Sequence, residues 1–374
     1  MKILMTADAV GGVWTYAVEL ARALSHCRVQ VAIATMGPRP TPSQRAQIHG
    51  IPGATLHESD FQLEWMDDPW TDVEQAGNWL LCLEYQLKPD VVHLNGYAHG
   101  TLPWTAPTVV AAHSCVLSWW LAVHGGAAPE KDWKAYREKV CAGLAAADHV
   151  VAPTRAMLRS VQELYGRARG LSAIPNGREA CNFYACMEKK PYVASAGRLW
   201  DEAKNIAAIE RIAGELEWPV CLAGASTPPS RAFAASRPNT CSSFGHLGRE
   251  AFAQFLGRAS IFCLPARYEP FGLSILEAAL SRCALVIGDI PSLRENWEGA
   301  AVFVRPDSDR DLANALRELI ADRGWRAELA AKARQRGLEF TPDRMAAGYL
   351  QLYAGLLTNR KRLNEPAQAG TCAS

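Results

Sequence analysis

Tyr268-Glu269-Pro270-Phe271-Gly272-Leu273-Ser274-Ile275-Leu276-Glu277-Ala278-Ala279 is the stretch from which the rest of this 374-residue chain can be read. Ahead of it the apolar, β-type run Ile261 to Leu264 closes on Pro265, and after it Leu273, Leu276 and Leu280 recur at helical spacing. The pattern predicts a strand, a loop and then a helix. Pro270 fixes φ and suits the start of a helix, and Gly272 lets the backbone come close to whatever stands in front of it. The N–H groups of Phe271, Gly272, Leu273 and Ser274 are then the unpaired donors of a helix N-terminus, where hydrogen bonds and the helix dipole together favour a phosphate. Glu269 and Glu277 flank that point. Carboxylates repel phosphate, so they read as acceptors for hydroxyl groups on either side of it. Hydroxyls, phosphates and further hydroxyls in series describe a nucleotide sugar. The blander reading of Glu277 is a solvated helix residue.

The same alternation of strand and helix runs outward in both directions. Strand patterns at Lys2–Thr6, Val29–Ala34, Asp90–Leu94, Thr108–Ala112 and His149–Ala152 are separated by helical ones, and the alternation restarts at Tyr192–Ala196, Val220–Gly224 and Leu285–Gly288. This implies an α/β protein with two doubly wound parallel sheets, whose ligands gather at the carboxyl ends of the strands. His93, Asn95 and His113 fall at such ends. His113 closes a strand ahead of an aromatic-rich loop, Ser114 to Gly126; taken alone, a histidine there is more often structural. Gly11-Gly12 forms the first strand-to-helix turn, and it is not the G-x-G-x-x-G of a dinucleotide site. Gly197-Arg198-Leu199 followed by Lys204-Asn205 puts two cations after the first strand of the second half.

These strings resemble the family 4 retaining glycosyltransferases of the GT-B fold, with the E-x7-E motif at Glu269 and Glu277 and the G-R-L and K-N pairs at Gly197–Asn205. The resemblance implies two Rossmann-like doubly wound domains facing across a cleft. It implies that Glu269 contacts the donor sugar, that the amides of Phe271, Gly272, Leu273 and Ser274 hold the distal phosphate, and that Glu277 holds the ribose. Arg198 and Lys204 would meet the departing diphosphate; two fixed cations there stabilise developing charge and can replace a divalent metal. Gly11 and Gly12 match the loop that faces the donor phosphates, His113 the histidine that contacts the transferred sugar, and Leu247 the loop near the base. The implied activity is hexosyl transfer from a nucleoside diphosphate sugar, UDP-glucose by family frequency, to a hydroxyl acceptor, with no metal or other cofactor. Another GT-B enzyme, such as a sugar phosphorylase or nucleotide sugar epimerase, and a catalytically silent nucleotide sugar binding subunit remain open. The chain departs from the family where Arg178-Glu179 follows Pro175-Asn176-Gly177, a place usually held by an apolar residue and an aspartate.

The domains are expected at 1–170, with a helix over 342–360 returning to that domain, and at 171–341, leaving a small polar tail at 361–374 expected to be disordered. Composition narrows the partners. At 49% hydrophobic and 21% charged, with a net charge of +1, the chain is ordinary globular protein without a basic face for nucleic acid. No stretch is long and apolar enough for a membrane span, and Met1-Lys2-Ile3 runs directly into a strand pattern, so the cytoplasm is expected. Eleven cysteines without a C-x-x-C pair read as reduced thiols. Between Arg45 and Lys88 eight acids and three tryptophans occur without one Lys or Arg. These read as a solvated acidic loop, or as a surface for a polyhydroxylated acceptor. Residues 1–170 hold 14 Lys and Arg against 16 Asp and Glu, which tilts the acceptor toward a small soluble molecule. Asp307-Ser308-Asp309 spells the metal-binding D-x-D string, but it precedes a helix, and Asp309 reads as its cap. The oligomeric state is not encoded in any pattern seen.

Overall fold

The computed structural model describes residues 1–226 and 241–364. It contains the two parallel α/β sheets that the sequence predicts. The first comprises β1 (Lys2–Asp8), β2 (Gln30–Met36), β3 (Ala54–Glu58), β4 (Val91–Leu94), β5 (Thr108–Ala111), β6 (His149–Ala152) and β7 (Leu171–Ala173), in the spatial order β3-β2-β1-β4-β5-β6-β7. The second comprises β8 (Lys190–Ala196), β9 (Val220–Ala223), β10 (Cys241–Ser243), β11 (Ala259–Leu264), β12 (Ala284–Gly288) and β13 (Val302–Val304), ordered β10-β9-β8-β11-β12-β13. Every strand pair is parallel, for example Ile3↔Val31 and Ile3↔Val91 on either side of β1.

The strand sequences explain why both sheets are covered on both faces. In β1, Ile3 and Met5 enter a core with Tyr16, Leu20 and Leu24 of the helix Gly12–His26, while Leu4 between them enters a separate core with Leu80 and Val92. Alternate side chains point to opposite faces, so a strand buried on both sides must be apolar throughout. β11 is the equivalent of β1 in the second sheet: all six of its residues are buried.

The expected boundary at residue 170 falls one strand early. Leu171 pairs with Val150, so β7 closes the first sheet and the chain crosses to the second only beyond Ala173. β7, β10 and β13 are three-residue edge strands, and β7 has no fully buried residue, which leaves no apolar alternation for the eye to find. The chain crosses back ahead of the helix Pro342–Asn364, four residues longer than expected, whose Met345, Ala346, Tyr349 and Tyr353 complete the core beside Tyr16. Of the 361–374 tail, residues 365–374 lie outside the described residues.

In each sheet the strand order reverses at one place, between β1 and β4 and between β8 and β11. Loops leaving neighbouring strand ends part there, one toward each face of the sheet, and open a crevice. Gly11 and Gly12 lie on the loop at the first crevice, and Arg198, Lys204 and Glu269 on the loops at the second.

Candidate active site

On the second sheet the site is built from the loops after β8 and β11. Asn205 anchors them to each other: held at φ 56°, its amide nitrogen donates to the carbonyls of Pro265 (2.9 Å) and Pro306 (2.8 Å). The Arg267 N–H donates to the Ala203 carbonyl at 2.8 Å. Lys204 is thereby brought beside Glu269, with Nζ 2.5 Å from Oε2, and the other Glu269 oxygen accepts from the Gly272 N–H at 2.9 Å. Both side chains are largely buried.

The helix opens at Leu273, with Gly272 at φ 90° as its N-cap. This corrects two expectations. Pro270 lies ahead of the helix rather than at its start, because the left-handed turn at Gly272 intervenes. The Gly272 amide is also committed to Glu269, so the amides open to a ligand are those that follow it into the first turn. The loop before the helix is clamped: Ser292 Oγ donates to the Glu269 carbonyl (2.6 Å), and Thr154 Oγ1, from the first sheet's side, to that of Pro270 (3.0 Å).

Arg198 is the more exposed cation and lies over Trp200, with Nη2 2.7 Å from Asp201 Oδ2. Asp201 also accepts from the Ala203 N–H and, across the cleft, from the indole of Trp119 at 3.0 Å. Burial works to raise the Asp201 carboxyl, but Arg198, Lys204 and these hydrogen bonds outweigh it and hold the group below the usual carboxylate range. Leu247 is half-buried against the second core, on the loop that follows β10.

On the first sheet the loop after β1 faces this assembly. Gly11 caps the helix Gly12–His26 at φ 90°, and a Cβ on Gly12 would stand 3.4 Å from Leu273 Cδ1, so the two halves meet there. Asp8, at the end of β1, accepts from the Val10 N–H at 2.8 Å. Burial pushes its carboxyl up to about 6, with the Val10 amide and the Arg198 charge pulling it back. His113 Nε2 lies 2.8 Å from Asn95 Oδ1. The Asn95 amide nitrogen is engaged by the Thr6 carbonyl, so Oδ1 must accept and His113 must carry its proton on Nε2. Its ring stands edge-on to Tyr16 at 4.4 Å, and burial pushes it down to about 4, so it is neutral at pH 7. His93 is structural: fully buried between Tyr16 (3.2 Å) and Tyr353 (2.6 Å), it is pushed down to about 3, by burial above all. His99 is likewise buried, against the Val73 carbonyl.

Glu277 is buried rather than solvated, and it is not alone. Arg178 Nε lies 2.8 Å from its Oε1, while Arg178 Nη1 lies 2.5 Å from Glu19 Oε1. Burial raises the Glu277 carboxyl and Arg178 draws it down, leaving it raised on balance. The D-x-D aspartates are committed elsewhere: Asp307 pairs with Arg267, and Asp309 with Arg211 through two contacts of 2.6 and 2.7 Å. The helix cap is Ser308, whose hydroxyl accepts from the Asp311 N–H, and not Asp309, because the helix begins one residue earlier than a cap at 309 requires. Among the described residues no group of three or more His, Cys, Asp or Glu is arranged to hold a metal ion.

The structure thus brings Arg198, Lys204, Glu269 and the residues from Phe271 to Ser274 together, with Gly11 and Gly12 against them. Sequence reading missed Asp8, Trp119, Asp201 and Arg178. Asp201, three residues from Arg198 and three from Lys204, carried a local signal. Trp119 and Arg178 reach their partners over separations of 82 and 99 residues, which no local pattern records.

Residues 10–180 match the family model described as Glycosyltransferase Family 4, and residues 183–336 match Glycosyl transferases group 1. The curated D-inositol 3-phosphate glycosyltransferase of Xylanimonas cellulosilytica is 27% identical, aligned over 93% of this chain and 92% of that protein. Sucrose-phosphate synthase from Thermosynechococcus elongatus has a TM-score of 0.81 at 19% identity, covering 96% of this chain and 100% of that one. Anabaena HepE in complex with UDP-glucose has a TM-score of 0.73 at 15% identity, with 96% and 100% covered.

Proposed function

The chain is a family 4 glycosyltransferase of the GT-B fold, and from that premise we propose that it moves a hexosyl group from a nucleoside diphosphate sugar to a hydroxyl acceptor, with retention at the anomeric carbon and no metal. The observation that carries this reading is the convergence of Lys204, Arg198 and the first turn of the helix Leu273–Leu280 on one crevice. Each cation there is paired with a carboxylate, Asp201 or Glu269, that a diphosphate would displace or share. Negative charge building on the leaving diphosphate would be met by groups already fixed in place, which is where such groups lower a barrier most.

UDP-glucose is the donor to test first, since the Anabaena HepE structure, which shares this fold, is a complex with it. Glu269, on the loop before the helix, would orient the donor sugar, Glu277 its ribose, and His113 the sugar from the opposite side. No side chain stands out as a nucleophile. The acceptor oxygen would therefore bond to the anomeric carbon on the face from which the diphosphate departs, its proton passing to a phosphate oxygen as the carbon–oxygen bond to phosphate breaks. A small soluble polyol is the acceptor class to try first. The name of the Xylanimonas relative adds cyclitol phosphates to that panel.

The test is release of UDP from UDP-glucose that depends on an added acceptor, measured with and without EDTA, with the anomeric configuration of the product read by NMR. Transfer unchanged by EDTA and an α-linked product are expected. Loss in EDTA with rescue by Mg²⁺ would overturn the roles given to Arg198 and Lys204.

A further inference from the structure

Arg178 lies where the chain first crosses between the sheets, and its backbone N–H donates to the Phe340 carbonyl (3.0 Å), in the segment that crosses back. Gly177 beside it packs so closely on that second crossing that a Cβ would come within 2.3 Å of the Thr341 carbonyl. The two crossings touch, and they form the pivot between the halves of the molecule. From this pivot one side chain reaches both ways, to Glu19 on the helix Gly12–His26 of the first half and to Glu277 on the helix Leu273–Leu280 of the second. The three side chains are 9%, 3% and 11% exposed.

Two buried carboxylates share this guanidinium, with Arg22 no nearer to Glu19 than 4.0 Å. Such a cluster costs more desolvation than an apolar replacement would, so it is poor evidence of a device for stability alone. It is also incompletely satisfied: Glu19 Oε2 and Arg178 Nε lack aligned hydrogen-bond partners. Arg178 Nε faces Oε1 of Glu277, and among the described residues no hydrogen bond engages Oε2.

We propose that Arg178 is a positioning residue for donor recognition: it fixes the Glu277 carboxylate so that one oxygen is presented to the ribose hydroxyls, and through Glu19 it ties that presentation to the relative placement of the two halves. The inference rests on Glu277 as the ribose acceptor. It gives Arg178, where this chain departs from its family's usual residues, a role in selecting ribonucleotide donors.

The experiment is calorimetric titration of UDP, GDP and ADP, each with its 2′-deoxy counterpart, into the wild type, Glu277→Gln, Arg178→Met and Arg178→Lys. The wild type should bind one ribonucleoside diphosphate about tenfold or more tightly than its 2′-deoxy form, the range for a hydrogen bond to a charged acceptor. In Arg178→Met that ratio should fall toward one while the affinity for the deoxy form stays, and Arg178→Lys should give a ratio between the two. A purely structural Arg178 would weaken both forms together and leave the ratio intact. If Arg178→Met does not fold, an unchanged ratio in Arg178→Lys overturns the inference. A wild-type ratio near one would sink the Glu277 reading and this inference with it. A ratio lost in Glu277→Gln but kept in both Arg178 variants would sink the inference alone.

Discussion

Lys204 and Asp8 are the side chains whose environments most constrain the chemistry. Lys204 is held on Glu269, which also caps the turn at Gly272, so the cation, the carboxylate and the helix N-terminus are tied to one another. Lys204→Ala should lower kcat with UDP-glucose by about 10²–10³, the scale for removing one fixed stabiliser of transition-state charge, with a smaller change in KM. Steady-state kinetics checks this, and near-wild-type turnover would remove Lys204 from the leaving-group site. Asp8 adds a pH dependence. Its carboxyl is raised to about 6 by burial, so it is neutral below that value and becomes an anion near Arg198 above it. A second anion there opposes a diphosphate. Affinity for UDP-glucose, whose diphosphate is esterified at both ends, should therefore weaken as pH rises through about 6, and Asp8→Asn should flatten the profile. Titrations across that window decide it. Nothing in Ala7-Asp8-Ala9 marks this aspartate in the sequence, because its shift comes from burial, which only the folded chain creates.

Among the elements, the helix Pro342–Asn364 joins the first core through a polar contact inside an apolar one: Tyr353 meets His93 Nδ1 at 2.6 Å, and His93 Nε2 meets Tyr16. Tyr353→Phe leaves a buried imidazole nitrogen unpaired and should cost about 1–3 kcal/mol, read as a lower midpoint in urea. The same histidines set the acid limit. His93 and His113 are depressed to about 3 and about 4, so their contribution to stability is full above the ordinary value of 6.5 and is lost as pH falls through that window. Melting temperature should decline from pH 6.5 toward pH 4. A flat curve there in Asp8→Asn, which lacks the opposing carboxyl, would mean that neither histidine is held neutral in the folded protein. Asp8 has the opposite sign, its contribution being complete below 3.8 and lost as pH rises through about 6. At this scale the buried inner strands were legible, as β1, β4 and β11 illustrate, while the short edge strands β7, β10 and β13 were not. A strand recognised by its buried faces disappears when those faces are half wet.

For the whole molecule the decisive feature is how much the two halves share. Glu295, on the second half, accepts from the N–H groups of Arg155 and Ala156 at 2.8 and 2.9 Å and so caps a helix of the first. Tyr268 Oη accepts from the Cys115 N–H at 3.1 Å and from Ser118 Oγ at 2.7 Å, and Trp119 reaches Asp201. These contacts tie the two halves together across the cleft, and in the proposed reaction a cleft held shut would exclude water from the donor. Glu295→Ala should cost about 0.5–2 kcal/mol through the lost cap. It should also raise the radius of gyration in small-angle scattering and increase UDP-glucose hydrolysis relative to transfer. A variant that is destabilised but unchanged in both other readouts would show that Glu295 caps a helix without governing closure.

The sequence by itself determined the α/β class, the two parallel sheets and the strings at Gly197–Asn205 and Tyr268–Ala279, because each is written within a few consecutive residues as an apolar period, a glycine or a fixed spacing of charges. Tertiary structure alone decided how those charges are used. It set Lys204 on Glu269, Arg198 between Asp201 and the cleft, Ser308 rather than Asp309 at a helix start, and Arg178 between Glu19 and Glu277. Ion pairs and burial depend on distances between segments far apart in the chain, and those distances exist only once both sheets have folded and met.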